Sequence, residues 1–397
     1  VGSIVDVVGT SVPLDMLPKS ITKYLVSDNS TLLLVTFNGS TSSEETIDAV
    51  DELRNISENL SVGGMSSMVL DTMNLSNSEI AIYIVIAVIL CIIVLAVSLD
   101  SYIVPVLLLV NIGMAIVYNL GTNIFLGQIS YITKALVAVL QLGVTTDFSI
   151  FLYHSYQSKK NKMPKESAMS EAISETFTSV TGSSLTTIAG FLVLCLMRLT
   201  LGKDLGIVMA KGVLLGLIAV LTIFPCLLLT FDNLISKTSH KVLVKPLTKL
   251  NDFIVKHYIV IFIVFLILLF PMYKANSKVE VYYKIDETLP KTLESIKTNN
   301  EVKEKFNIVS PEIILISKDV KQNDLENLTN DLKNVEGINL VLSESEITKY
   351  ISIDALPSDV TSMLSNDKYK LILINSVYEV ASDELNDQIK TVNDLVK

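Results

Sequence analysis

One carboxylate, Asp147, stands inside a run otherwise apolar enough to cross a bilayer: Gln141-Leu142-Gly143-Val144-Thr145-Thr146-Asp147-Phe148-Ser149-Ile150-Phe151-Leu152. Ionising an acid inside a membrane is costly, so such acids face a protein interior or a water-filled path. The apolar run covers about 132–153 and leaves Asp147 some six residues, roughly 9 Å, from its inner end, so a carboxylate that reaches the interface is the competing explanation. The next run opens Thr178-Ser179-Val180-Thr181-Gly182-Ser183-Ser184-Leu185-Thr186-Thr187, which sets Ser183, Ser184, Thr186 and Thr187 at about the depth of Asp147. Small residues let helices approach closely, and hydroxyls bond an acid in either protonation state. Helix packing alone would account for the same residues. A carboxylate taken out of water holds its proton more tightly, so one beside a polar track can load a proton from one side and release it to the other. The expectation is therefore a proton-relay carboxylate, Asp147, with Ser183, Ser184, Thr186 and Thr187 as a polar track around it.

The elements that would position these residues are membrane spans. Apolar residues make up 50% of the 397 and charged ones only 18%, and hydropathy isolates six runs, near 79–98, 102–120, 131–153, 177–199, 205–231 and 258–274. The division expected is 1–78 as a polar, soluble flank, 79–231 as five transmembrane helices and 232–257 as a cytoplasmic amphipathic linker. A sixth transmembrane helix at 258–274 and a second soluble flank at 275–397 complete it. The net charge of −10 comes largely from the two flanks and argues against nucleic acid as a partner.

Both flanks read as α/β. Leu32–Phe37 is strand-like, Ser43 is an N-cap for a helix carrying Ile47, Val50 and Leu53, and a second short strand is expected after Val62-Gly63-Gly64. In the far flank 279–285, 312–317 and 371–374 are strand-like, and helices are expected over 293–306 and from Ser382 onward. Sliding residues 15–57 forward by 339 lays them without a gap on 354–396, with eleven identities among 43 positions, Ser43 meeting Ser382 and Leu32 meeting Leu371. Strand falls on strand and helix on helix. The parent protein therefore reads as a tandem duplication of which this chain is a window, and bundles related by such duplication are a known transporter plan.

Lysines fix the expected orientation. The loops 154–176 and 232–257 carry Lys159, Lys160, Lys162, Lys165, Lys237, Lys241, Lys245, Lys249 and Lys256, whereas 121–130 and 200–204 carry only Lys203. The positive-inside rule places the first pair in the cytoplasm and hence both flanks outside. Lys134 and Arg198, at outer ends, snorkel, and the same is expected of Lys211, deeper in its span.

Other chemistries find little support. An intramembrane aspartyl protease needs two facing carboxylates, and the only other candidate is Asp100, in a short cytoplasmic turn. Cys91, Cys195 and Cys226 show no metal-type spacing, His154, His240 and His257 lie at boundaries or in loops, and there is no Gly-x-x-x-x-Gly-Lys phosphate loop. No enzyme activity, cofactor or metal is expected.

The element Leu142-Gly143-Val144-Thr145-Thr146-Asp147-Phe148 resembles the Leu-Gly-Val-Gly-Thr-Asp-Tyr element of the MMPL family (mycobacterial membrane protein large), within the resistance-nodulation-division superfamily. Gly63-Gly64, Gly212-Val213-Leu214, Leu221-Thr222-Ile223-Phe224-Pro225 and Leu289-Pro290-Lys291 follow the family's landmarks in order. The resemblance implies a polytopic α-helical membrane protein with α/β extracytoplasmic porter-like domains, of RND/MMPL-type architecture, in a bacterial cell membrane, with 1–78 as the back of a first porter domain and 275–397 as the front of a second. It implies export of lipids or other hydrophobic compounds driven by the proton-motive force, with Asp147 in the proton relay. The implied partners are membrane lipids, a hydrophobic substrate and the second repeat of the parent protein, with a homo-oligomer left open. Three positions depart from the pattern: Phe148 replaces the Tyr that would bond across to the other repeat, and Ser155 and Gln157 replace basic residues, with charge displaced to Lys159 and Lys160. The alternative on the same fold is a non-transport role, a sterol-sensing-like regulator or an accessory to protein secretion.

Overall fold

A computed structural model describes residues 23–24, 26–27, 29–242, 248–279, 288–349, 361 and 364–397. In chain order it contains β1 (Val26–Ser27), β2 (Ser30–Thr31), α1 (Glu44–Arg54), α2 (Met65–Ser98), α3 (Val104–Gly121), α4 (Tyr131–Lys160), α5 (Lys165–Leu194), α6 (Thr200–Thr230), α7 (Asp232–Lys237), α8 (Thr248–Lys256) and α9 (Tyr258–Asn276). After these come α10 (Glu294–Phe306), β3 (Ser310–Ser317), α11 (Gln322–Lys333), β4 (Ile338–Ser343), α12 (Glu344–Thr348), β5 (Tyr369–Ser376) and α13 (Asp383–Val396). The chain divides into two units, Val1–Thr72 with Val279–Lys397, and Met73–Lys278.

The first unit is α/β. Its three-stranded antiparallel sheet has the order β3-β5-β4, with Ile313 opposite Leu373 and Leu342 opposite the same residue on the other side. Alternation along β5 sends Ile372 and Ile374 into a core with Ile316, Leu325, Leu332, Val341 and Val392, so α11 and α13 cover one face of the sheet. The helix starts repeat as the sequence does. Ser43 accepts from the Thr46 N–H and Ser382, its counterpart 339 residues on, accepts from the Leu385 N–H. Both satisfy an amide that the first helical turn leaves without a partner.

Around α1, Ile47 and Val50 pack on Leu70 of α2, and the Arg54 guanidinium reaches Asp71 Oδ1 at 2.6 Å. The Gly63-Gly64 pair has a steric reason. Gly64 has φ of +91°, and a Cβ on Gly63 would lie 2.6 Å from Asn299 Oδ1, the atom that accepts from the Gly64 N–H.

Two strands expected in the first flank do not form. Leu32–Phe37 has no ladder, and in its place the short pair β1–β2 precedes it. Its counterpart in the repeat, β5, is the middle strand of a sheet. A strand without partners cannot satisfy its backbone. The second, after Gly64, is the opening of α2. The strand expected at 279–285 lies almost wholly outside the described residues.

The second unit is helical. Six helices, α2 to α6 and α9, are long and apolar enough to cross a membrane, which makes this a polytopic α-helical membrane protein. The hydropathy runs underestimate the helices: α2 begins at Met65 rather than 79, α4 continues to Lys160 rather than 153, and α5 starts at Lys165 rather than 177. The expected loop 154–176 thus shrinks to residues 161–164. Of the expected linker 232–257, α7 and α8 are helical and 243–247 lie outside the described residues.

The core of this unit joins Leu107 and Leu108 of α3, Phe148 and Leu152 of α4, Ala172 and Val180 of α5, and Val213, Val220 and Phe224 of α6. α6 sits at its centre, with half of its most apolar stretch buried, while no residue of α9 is buried.

Candidate functional site in the helical unit

Asp147 lies in the interior of α4, thirteen residues before its end at Lys160, or about 20 Å at 1.5 Å per residue. The longer helix removes the premise that it stands near a helix terminus. Its side chain points away from the core: Thr145, Thr146, Phe148 and Ser149 are buried, whereas Gly143, Asp147, Phe151 and His154 form an exposed stripe. It makes no hydrogen bond or ion pair with any described residue.

The antiparallel neighbour α5 is placed by Ser155 Oγ donating to Glu175 Oε2 (2.6 Å) and by Lys159 Nζ against Glu171 and Glu175 at 2.9 and 3.1 Å. Eight residues outward along each helix from Ser155 and Glu175 lie Asp147 and Ser183. The two residues are level, and both are exposed. The four expected track residues do not act as one group. Thr186 and Thr187 donate to the Ser183 carbonyl at 2.8 and 3.0 Å, and Ser184 is fully buried on the inward face with its hydroxyl unpartnered. No hydrogen bond joins Asp147 to any of them. Phe148 is only 5% exposed, so the position resembling the family Tyr points into this bundle rather than along the Asp147 face.

Sequence reasoning missed a second polar arrangement inside the core. Asn119 Nδ2 donates to Gln141 Oε1 (3.0 Å) and to the Val208 carbonyl (3.3 Å), and Gln141 Nε2 donates to the Gly212 carbonyl (3.1 Å). Lys211 reaches toward the end of α3 and is bonded there: its Nζ donates to the Asn119 carbonyl (3.0 Å) and to Asn123 Oδ1 (2.6 Å).

Glycine permits this approach of α6 to α4. A Cβ on Gly212 would meet Asn119 Nδ2 at 2.5 Å, and one on Gly216 would meet Thr145 Oγ1 at 2.7 Å. The small-xxx-small pair that brings membrane helices together is present as Gly212-Val213-Leu214-Leu215-Gly216 and could have signalled the contact.

The opposite end of the unit is clasped by carboxylates. Tyr153 Oη donates to Asp100 Oδ1 and Gln157 Nε2 to Asp100 Oδ2 (3.1 Å), while Tyr156 Oη (3.0 Å) and Lys160 Nζ both reach Asp232 Oδ1. Ser101 adds a bond to Thr238 at 2.8 Å, and Tyr102 stacks on His240 with ring centroids 4.0 Å apart. α4 thereby holds the turn between α2 and α3, the start of α5 and the segment after α6 in one assembly. Gln157 and Lys160, at and beside the positions that depart from the family pattern, are among the residues that do this. Among the described residues no cluster of three or more His, Cys, Asp or Glu could hold a metal ion.

Known proteins give the frame for this geometry. The protein named membrane protein ActII-3, of Streptomyces coelicolor, is 34% identical over 123 residues, 31% of this chain and 17% of its own length. Membrane protein MJ1562 of Methanocaldococcus jannaschii is 38% identical over 93 residues, 23% of this chain and 24% of its own length. The matched part is thus about a quarter or less of either relative. The model of the MMPL family matches residues 1–269, a stretch that includes all of α1 to α8 and most of α9. With two thirds of its length matched and six membrane-length helices in that order, the chain belongs to the MMPL family.

Proposed function

We propose that the parent protein is a membrane transporter that exports lipids or other hydrophobic compounds at the expense of the proton-motive force, with Asp147 carrying the proton. The observation that carries this is an acid in mid-helix, directed out of its own bundle, with no described partner. Against lipid such a side chain costs at least about 2.5 kcal/mol when charged. That cost is relieved if another protein surface covers the face and supplies groups that bond either protonation state. The second repeat of the parent protein is the proposed cover, and Ser183, level with Asp147, is the hydroxyl on this side of the seam.

In this scheme the carboxylate is neutral when loaded and charged when released. The two states differ in what the seam must solvate, so the two bundles shift against each other as the proton passes. Asp100 and Asp232, tied to tyrosines at the lysine-bearing end, belong to the cytoplasmic side in the proposed orientation, with both α/β flanks outside.

The test is export of a lipophilic dye from cells carrying the full-length parent, with Asp147→Asn compared at matched membrane levels. Loss of export by Asp147→Asn supports the proposal. Undiminished export by the variant contradicts the role of Asp147.

A further inference from the structure

Beside the apolar Phe148 and Leu152, one row on the buried side of α4 is almost wholly polar. Thr133, Gln141, Thr145, Ser149 and Tyr153 recur at multiples of four residues, each fully buried, and Val137 is the one apolar step among them. Gln157 continues the row toward Asp100. Asp147 is on the other side of the helix and takes no part in it.

Thr133 begins the row with its hydroxyl unpartnered, and two stretches after it are tied: Gln141 to Asn119 and Gly212, with Lys211 on the Asn119 carbonyl, and Tyr153 and Gln157 to Asp100. The middle is not. Asn111 is fully buried with neither Nδ2 nor Oδ1 bonded, and Thr145 Oγ1, Thr181 Oγ1 and Ser184 Oγ are buried without partners.

The helix registers bring these groups to one depth. Eight residues inward along each helix from the Asn119–Gln141 bond lie Asn111 and Ser149. Six residues outward from the Ser155–Glu175 bond lie Ser149 and Thr181, and Thr145 and Ser184 are about one turn further out.

A buried polar group left unbonded costs about 1–3 kcal/mol, and native interiors bond nearly all of them to protein or to ordered water. Hydroxyls can turn to a carbonyl of their own helix, as Ser149 does to Thr145. The Asn111 amide, with two N–H donors and an acceptor, has no such recourse. It offers donors as well as an acceptor, and the carboxylate at this depth, Asp147, faces out of the bundle, so the chemistry suits water rather than a cation.

We propose that the core of the helical unit holds ordered water around Asn111, Thr145, Thr181 and Ser184. This water links the Lys211–Asn119–Gln141 cluster to the Tyr153–Asp100 clasp. The hydrogen-bonded chain so formed runs along the buried side of α4, apart from Asp147.

The full-length parent, isotope-labelled in lipid vesicles, tests this by polarisation transfer from water to side chains in solid-state NMR. The Asn111 amide and the Thr145 side chain should build up several-fold faster than Leu108 and Ile112, their apolar neighbours on α3. Asn111→Leu should bring Thr145 and Ser149 down to the level of Leu108, and the near-isosteric Thr145→Val should lower the transfer to Asn111. Transfer to Asn111 in the wild-type protein no faster than to Leu108 overturns the proposal, whatever the variants do. Because the readout is contact with water and not export, its failure leaves the role of Asp147 untouched, and the reverse also holds.

Discussion

At the scale of the residue, the helical unit depends on what stands opposite glycine. A side chain at Gly216 must share space with Thr145, and one at Gly212 with Asn119 and Gln141. Gly216→Val should therefore push α6 from α4 and destabilise the protein by about 1–3 kcal/mol, read as a lower melting temperature in detergent. Gly143, with open space where a methyl would stand, should accept Ala in the isolated chain without such a loss. Asp232 is a second sensitive point, since Asp232→Ala strands Lys160 and the Tyr156 hydroxyl. The expected cost is about 1–3 kcal/mol, and Asp232→Asn, which still accepts from Tyr156, should lose less. Asp147 is legible in the sequence because one acid in an apolar run is conspicuous. The inward row on α4 is not, because Thr, Ser and Gln scarcely lower a hydropathy window, and which face they occupy is decided by neighbouring helices. Lys211 escapes for the same reason: its partners are a carbonyl and an amide, and neither is an opposite charge that sequence could pair with it.

At the scale of the element, helix starts are easier to read than helix ends. Ser43 and Ser382 are recognisable as caps from their type and the acids that follow, and both cap. Ser382→Ala should cost about 1 kcal/mol of local stability, visible as faster amide exchange at Leu385. Helices α4 and α5 overrun their apolar runs because Lys159, Glu171 and Glu175 pair with one another across the two helices and extend the packing beyond the apolar zone. Leu32–Phe37 has the apolar residues of a strand but no ladder with any described residue. In the second flank, Glu346 responds to pH in a defined sense. Burial pushes its carboxyl up, but Lys333 at 2.6 Å and Lys349 at 2.9 Å outweigh this and hold it below the usual 4.5. A depressed acid stabilises the fold at pH above 4.5 and loses that contribution as pH falls through its lowered value. Amide protection in α11 and β4 should fall in that acidic window, and Glu346→Gln should remove that part of the fall.

At the scale of the whole molecule, the helical unit is unevenly covered. α3 to α6 bury one another, α2 contributes Leu95 and Leu99 to the core, and α9 buries nothing. A helix apolar on every side is at home in lipid or against another bundle. In the proposed parent, the repeat of 339 residues makes α9 the first helix of the second bundle, and the Asp147 face the seam between the two. A lipid-phase quencher should therefore reach a fluorophore at Asp147→Cys in the isolated 397-residue chain, in a background free of its native cysteines, and reach it far less in the parent. The membrane architecture and the duplication are legible because hydropathy and ungapped self-similarity need no tertiary information.

The central claim is that Asp147 couples proton movement to export. The most direct measurement is proton flux in vesicles containing the full-length parent, with a pH-sensitive dye inside and a lipophilic substrate added under an imposed pH gradient. The account predicts substrate-dependent proton flux in the wild type and its loss in Asp147→Asn, with the variant still folded and inserted. Substrate-dependent proton flux that persists undiminished in Asp147→Asn would contradict it.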